Sequence, residues 1–301
     1  PKCKAGDQYG DVCEVCNSTY DSQTLIEPFC ILCKSTPVIK STEEIFFQLK
    51  NFEPFLLQWM ETHVSSEVKN FIQTWIKDGL QDWCISREGP YFGFEIPGEN
   101  HKYFYVWLDA PIGYISASSL FFKKQNISHE NFWKNETHQL IHIIGKDIIY
   151  FHTLFWPAML HGAGYRTPSK VHVHGMLTIN GEKMSKSRGT FINAQTYLKH
   201  LDPQYLRFYY ASKLSAGIED LDINFEDFVN RSNSDLVNNI ANLVNRVIPF
   251  VNNRLNGEIG VCDQSTRDFQ NTITSKMKEL QEHYLQMNFH KAIRLCCEIS
   301  D

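Results

Sequence analysis

The chain has 301 residues, 43 % hydrophobic and 13 % aromatic, which is enough for a sizeable core and for two domains or more. No apolar run approaches the roughly 20 residues of a membrane span, and no basic segment precedes an apolar one, so a cytoplasmic protein with neither membrane contact nor secretory leader is expected. A formal net charge of −5 excludes a globally positive field, so any RNA would be held by local patches.

The chain starts at Pro1 inside a cysteine-rich string and ends at Asp301 inside a helical pattern, so both ends read as internal to a longer protein. Of nine cysteines, Cys3, Cys13, Cys16, Cys30 and Cys33 fall in the first 33 residues. Cys13/Cys16 and Cys30/Cys33 are C-x-x-C pairs, a spacing that lets one tight turn offer two thiolates to a tetrahedral ion. Two arrangements are open. Either these four form one zinc site, or Cys3, Cys13 and Cys16 form a site whose fourth ligand lies upstream. A thiolate-only site is closed, so the zinc is expected to be structural. Disulfides would require an exported chain, which nothing here marks. Cys84, Cys262, Cys296 and Cys297 lack ligand spacing and read as buried hydrophobes.

Residues 45–47 read as a short strand. Residues 54–63 and 66–78 carry apolar positions at helical spacing, with Ser65 or Ser66 as N-cap and Gly79 as stop. Three apolar runs follow, at residues 103–108, 140–144 and 171–178, each read as a buried strand. Helical patterns alternate with them, which argues for a parallel sheet. Ligands in such sheets sit where strands end and helices begin, and Trp107, Asp109, Asp147 and His152 fall at or just beyond those ends.

The string Lys183-Met184-Ser185-Lys186-Ser187-Arg188 places three cations and two hydroxyls between Gly181 and Gly189. Such a loop can close over a triphosphate and follow the charge as pyrophosphate leaves. Asn193 then caps a short helix to about residue 200, and Asp202-Pro203 opens another. A long helical pattern covers residues 225–255, with Leu236, Val237, Ile240, Leu243, Val244 and Val247 as its expected buried stripe. Asn238, Asn242 and Arg246 are spaced by four and share one face, and Asn and Arg can read the edges of unstacked bases. Residues 264–299 read as one last helix.

The string Lys-Met-Ser-Lys-Ser looks like the second ATP motif of class I aminoacyl-tRNA synthetases. Together with VWLDAPIGY and IGKDIIYFHTLFWPAML, in this order, the chain resembles the bacterial-type methionyl-tRNA synthetases from Pro1 to about residue 255. That resemblance implies ATP-dependent activation of methionine, with Mg2+ accompanying ATP, and transfer to tRNA(Met). Trp107, Ala110, Pro111, Tyr114, Ile148 and His152 would line the methionine pocket, where a thioether suits apolar and aromatic walls. Gly145 and Asp147 would meet the ATP ribose, Lys183 and Lys186 would hold the triphosphate, and Arg87 would help orient the amino acid. Asn238, Asn242 and Arg246 match the family's anticodon-reading helix.

The expected fold is α/β: the second half of a class I Rossmann-type nucleotide fold with a zinc-knuckle insertion, followed by an α-helical anticodon-binding bundle. Its parts are expected at 1–40 (zinc knuckle of a connective-peptide domain), 41–82 (the rest of that domain), 83–180 (second catalytic half), 181–224 (loop and stem-contact module) and 225–301 (helical anticodon domain). His142-Ile143-Ile144-Gly145 does not match the family's first ATP motif, H-x-G-H, because no second histidine follows Gly145. In the family that motif lies upstream, so this stretch alone is expected not to form methionyl-adenylate and to need the N-terminal half of the same protein. Two further readings compete. One is a synthetase for another apolar amino acid, although no span between residues 33 and 107 is long enough for the editing insertion of branched-chain relatives. The other is a zinc-knuckle tRNA-binding protein without catalysis. Oligomeric state has no signature in the sequence.

Overall fold

The computed structural model describes residues 3–6, 21–31, 33–77, 79–184 and 191–301. The chain divides into two compact units, Pro1–Ile45 and Phe46–Asp301.

In the first unit, Asp21 caps a single turn, Ser22–Thr24, by accepting from the Gln23 amide. The second C-x-x-C pair folds as a tight turn: Lys34 N–H donates to Cys30 O at 2.8 Å and Cys30 N–H to Ser35 O at 2.9 Å. Lys34 closes it in the left-handed region, at φ 59°.

The second unit opens with strand β1 (Phe46–Phe47) and helices α1 (Glu53–His63) and α2 (Ser66–Ile76). Ser65 Oγ accepts from Val68 N–H as the N-cap of α2, and Gly79 takes φ 80° just beyond it, as its sequence position predicts. Both helices turn a full apolar face inward: Leu56, Trp59 and Met60 from α1, and Val68 and Ile72 from α2, are each 5 % exposed or less. β2 (Trp83–Cys84) pairs antiparallel with β1, and β3 (Ser86–Glu88) with β4 (Lys102–Phe104).

The run 103–108 is not one buried strand. β4 ends at Phe104, Tyr105 remains extended, and the chain turns into α3 (Val106–Asp109), leaving Val106 exposed. Short apolar runs carry no period that separates strand from helix, and here a helical turn carries the second half. α4 (Ile112–Lys124) and α5 (His129–Lys134) follow.

β5 (Ile141–Gly145) and β6 (Lys170–His174) form the parallel pair, in register from Ile141↔Lys170 to Gly145↔His174. The crossover is helical, comprising a turn at Lys146–Ile148, a π-helical turn at Phe151–Phe155 and α6 (Trp156–Gly162). Ile144, Val171 and Val173 pack with Ile149, Leu154 and the apolar faces of α1 and α2 into the main core. Among the described residues, the other parallel pairing joins β7 (Leu177–Ile179) to β9 (Leu221–Ile223), and the remaining pairs are antiparallel.

The run 171–178 also splits, because β6 and β7 belong to different sheets. Gly175 lies at the break. A Cβ there would sit 2.0 Å from Glu219 O, so only glycine allows the two backbones to pass so closely. β7 continues through Asn180 (φ 49°) and Gly181 (φ 79°) into β8 (Glu182–Lys183), an Asn-Gly hairpin of the kind that matches strand twist.

α7 (Ala194–Leu198) and α8 (Pro203–Lys213) start on the expected caps, Asn193 and Asp202. Ile179, Tyr209, Ile223 and Phe228 form a second core beneath the hairpin. α9 (Phe225–Arg231) runs on through a π-helical stretch, Ser232–Ala241, into α10 (Asn242–Arg254). The expected buried stripe is a correction. Leu236 and Ile240 are half-buried, while Val237, Leu243, Val244 and Val247 are exposed, because α12 covers the π-helical stretch rather than α10. The last helix is also two: α11 (Gln264–Leu285) and α12 (Phe289–Ser300), broken where Met287 takes φ 57°. Cys262 is exposed rather than buried, whereas Cys84, Cys296 and Cys297 are half-buried.

Candidate functional site

The site forms at the C-terminal end of β5, where Gly145, Lys146 and Asp147 leave the sheet and the crossover helix begins. Gly145 leaves room there for the Asp147 carboxylate, since a Cβ would come within 2.7 Å of Asp147 Oδ1 and make that side chain shift. Asp147 itself is exposed, with its carboxylate folded back over the strand end. Ile148 contributes its carbonyl, which lies 3.0 Å from His152 Nδ1.

That carbonyl fixes the imidazole. A carbonyl only accepts, so Nδ1 carries the proton and Nε2 is the acceptor. Tyr114 Oη, 2.8 Å from Nε2, is therefore the donor. His152 is 1 % exposed, and burial holds its pKa below the usual imidazole value, against the opposing effect of the Ile148 bond. Burial also raises the Tyr114 hydroxyl. α4 places Tyr114 one turn beyond Pro111, which is buried, and Ala110, which is exposed at the end of α3.

Rings build the wall. Trp107 stacks on Phe151 with centroids 4.2 Å apart and planes 8° apart, and meets His152 edge-on at 6.3 Å. Beyond Phe151 the wall continues through Phe155 to Trp83, stacked at 4.0 Å, and on to Tyr105. The Arg87 guanidinium lies over the Tyr105 ring at 4.1 Å and donates to Ser86 O at 2.7 Å. Arg87, Trp107, Tyr114 and His152 thus belong to one aromatic surface, a setting suited to an apolar, polarisable ligand.

Several residues that the sequence did not single out complete this region. His142 is buried behind Tyr114 and His152, with its ring 4.8 and 5.4 Å from theirs, and accepts from Trp156 Nε1 at 3.2 Å. Burial, and secondarily His152, push its pKa down to about 4, so it is neutral at pH 7. Lys146 pairs with Asp220 at 2.6 Å, and Asp220 also accepts from the Met176 amide, which joins the end of β5 to the segment entering β9. His142 and Trp156 carry a faint signal as polar or ring-bearing members of apolar runs; Asp220 has none in its local sequence.

Lys183 occupies β8, paired in register with Thr178, and Lys186 lies outside the described residues. Asn238, Asn242 and Arg246 come together on one helical face. Arg246 Nε donates to Asn242 Oδ1 at 3.2 Å, and all three line an open groove of about 620 Å³ beside Asp301.

In the first unit, Cys30 and Cys33 face each other across their turn. Hydrogen bonds, chiefly from the Ser35 hydroxyl 2.9 Å away, lower the Cys33 thiol to about 7. A pair of facing thiols, one close to ionisation at neutral pH, fits half of a tetrahedral thiolate site. Cys3 is exposed, and Cys13 and Cys16 lie outside the described residues. Among the described residues no group of three or more His, Cys, Asp or Glu is placed to hold a metal, and no helix is long and apolar enough to cross a membrane.

The chain is similar to known proteins over most of its length. Residues 1–248 match the family described as tRNA synthetases class I (M). Methionine–tRNA ligase of Leptospira interrogans is 53% identical over 292 residues, covering 88% of this chain and 41% of the relative. That of Leptospira biflexa is 49% identical over 296 residues, covering 98% and 43%. The chain thus spans about two fifths of the length of these curated relatives. A solved Mycobacterium tuberculosis methionyl-tRNA synthetase in complex with methionyl-adenylate superposes with a TM-score of 0.76 at 26% identity, covering 90% of this chain and 53% of that one. Its apo form gives 0.75 at 22% identity, a likeness of fold. The fold is that of a class I synthetase with mixed α/β and helical content, and by match and superposition the chain belongs to the class I tRNA synthetases (M).

Proposed function

We propose that the protein containing this chain is a methionine–tRNA ligase. It activates methionine with ATP–Mg2+ to methionyl-adenylate and transfers the aminoacyl group to tRNA(Met). The observation that carries this reading is the Trp107–Tyr114–His152 wall standing beside Gly145 and Asp147 at a strand end.

No protein nucleophile is needed. The methionine carboxylate attacks the α-phosphate of ATP, the α–β phosphoanhydride bond breaks and pyrophosphate leaves, while the chain positions both partners and neutralises charge. Trp107, Ala110, Pro111, Tyr114, Ile148 and His152 hold methionine, and the ring wall excludes water from its thioether. Asp147 accepts from ribose hydroxyls where Gly145 lets the backbone approach. Arg87 orients the amino acid, and Lys183 and Lys186 take up the triphosphate charge.

Residues 1–40 form a zinc knuckle in a connective-peptide domain that continues to 82, with Cys30 and Cys33 as two ligands of a structural Zn2+. Residues 83–180 supply the second catalytic half, 181–224 the loop and stem-contact module, and 225–301 the helical domain. There Asn238, Asn242 and Arg246 read the anticodon. The cytoplasm, where translation runs and thiolates stay reduced, is the compartment this implies.

The test is methionine-dependent ATP–pyrophosphate exchange by the full-length protein. Exchange should be competed by methionine analogues and not by leucine, isoleucine or valine. Lys186→Ala should cost about 3–4 kcal/mol of transition-state stabilisation. Exchange driven by another amino acid, or none with any, would overturn the assignment.

A further inference from the structure

The hairpin carrying Lys183 is held by one carboxylate from another strand. Asp222 Oδ1 accepts from the Gly181 amide at 2.7 Å and from Thr178 Oγ at 2.7 Å. Thr178 is the ladder partner of Lys183 on one side and of Asp222 on the other, so the three residues form one row across the β8–β7–β9 sheet. The two bonds fall at different points of the hairpin, mid-strand in β7 and at its turn. They are short and charge-assisted. The Gly181 bond, then the Thr178 bond, hold the Asp222 carboxyl below its usual range, so it is ionised at neutral pH.

Asp222 is itself firmly placed. Its neighbour Ile223 is buried in the core beneath the hairpin, Ile223 O accepts from Asn180 N–H at 3.1 Å, and Lys213 donates to Asp222 O at 3.2 Å. β8 has no strand on its outer side among the described residues, so backbone pairing alone secures only one edge of it.

We propose that Asp222 is a positioning residue for adenylate formation, pinning the β7–β8 hairpin so that the Lys183 backbone sits at a fixed height beside the nucleotide. This rests on the ligase reading above. A displaced cation acts on the transition state more than on the bound amino acid, so kcat should respond and the methionine KM should not.

The experiment is ATP–pyrophosphate exchange by the full-length protein with Asp222→Ala, Thr178→Val, the double variant and Asp222→Asn, alongside thermal melts. Asp222→Ala should lower kcat by about 100-fold, the scale of a small misplacement, with the methionine KM within about twofold. Asp222→Asn keeps an acceptor oxygen and should recover most of the loss. Thr178→Val should lower kcat by less, and adding it to Asp222→Ala should lower kcat no further, because both remove one linkage. Should Asp222→Ala fail to fold, Thr178→Val and Asp222→Asn carry the same comparison. Wild-type exchange with an unchanged kcat in folded variants overturns the role of Asp222 and leaves the ligase reading standing. Absence of exchange in the wild type overturns both.

Discussion

Tyr114 donates its hydroxyl proton to His152 Nε2 across 2.8 Å, and the direction of that bond is set one turn earlier by the carbonyl of Ile148. The tyrosine oxygen therefore turns lone pairs, not a proton, toward the pocket. Tyr114→Phe removes that acceptor and leaves Nε2 without a donor. We expect the methionine KM to rise about five- to tenfold, the worth of one hydrogen bond, with kcat changed far less. Steady-state exchange kinetics check this, and an unchanged KM would remove Tyr114 from the pocket.

His142 makes stability depend on pH. Its folded pKa of about 4 lies below the unfolded value of 6.5, because burial disfavours the imidazolium. Between those values the unfolded chain holds a proton that the native one does not. The contribution is fully present above pH 6.5 and is lost as pH falls toward 4, amounting to about 3 kcal/mol. His142→Gln keeps an acceptor for Trp156 Nε1 and should shrink the fall in melting temperature between pH 7 and 4.5. An equal fall in both proteins would place the sensitivity elsewhere.

Asn242 and Arg246 are coupled by a 3.2 Å hydrogen bond on the groove face, far along the chain from the ring wall. Asn242→Ala and Arg246→Ala in the full-length protein should each weaken tRNA charging by about 1–3 kcal/mol in kcat/KM, as for a base-reading side chain. Pyrophosphate exchange should stay near wild type. Equal loss of both activities would remove these residues from the anticodon site.

The knuckle cysteines are checked by metal analysis. The full-length protein should hold zinc, and Cys33→Ser should release an ion and lower the melting temperature, since ligand binding free energy is folding free energy in such sites. If Cys13, Cys16, Cys30 and Cys33 share one ion, Cys16→Ser should release the same ion. If the two pairs serve separate ions, each substitution should release its own. Full zinc retention in both variants would rule out a thiolate knuckle.

Local chemistry was legible wherever a rule acts over a few residues. Ser65, Asn193 and Asp202 cap the helices their positions predicted, and Gly79 stops one. Asn180-Gly181 turns a hairpin. The strings around Trp107, Gly145 and His152 pointed to one pocket because their order along the chain matches a known family, and the structure joins Arg87, Trp107, Tyr114 and His152 along one ring wall. Periodicity failed where it is mute or where partners decide. Residues 103–108 are too short and too uniformly apolar to show a turn within them, the strand reading of 171–178 ran through Gly175, where the chain changes sheet, and the stripe on α10 is apolar without being covered.

By itself, then, the sequence determined the family, the caps and the cationic string, since each depends on neighbours within one or two turns. Only the tertiary structure decided that His142 is a neutral buried imidazole, that Gly175 exists to let Glu219 pass, and that one oxygen of Asp222 holds a hairpin 41 residues away in the chain. Desolvation, close backbone approach and a shared acceptor are properties of groups brought together from distant positions. No local pattern encodes them.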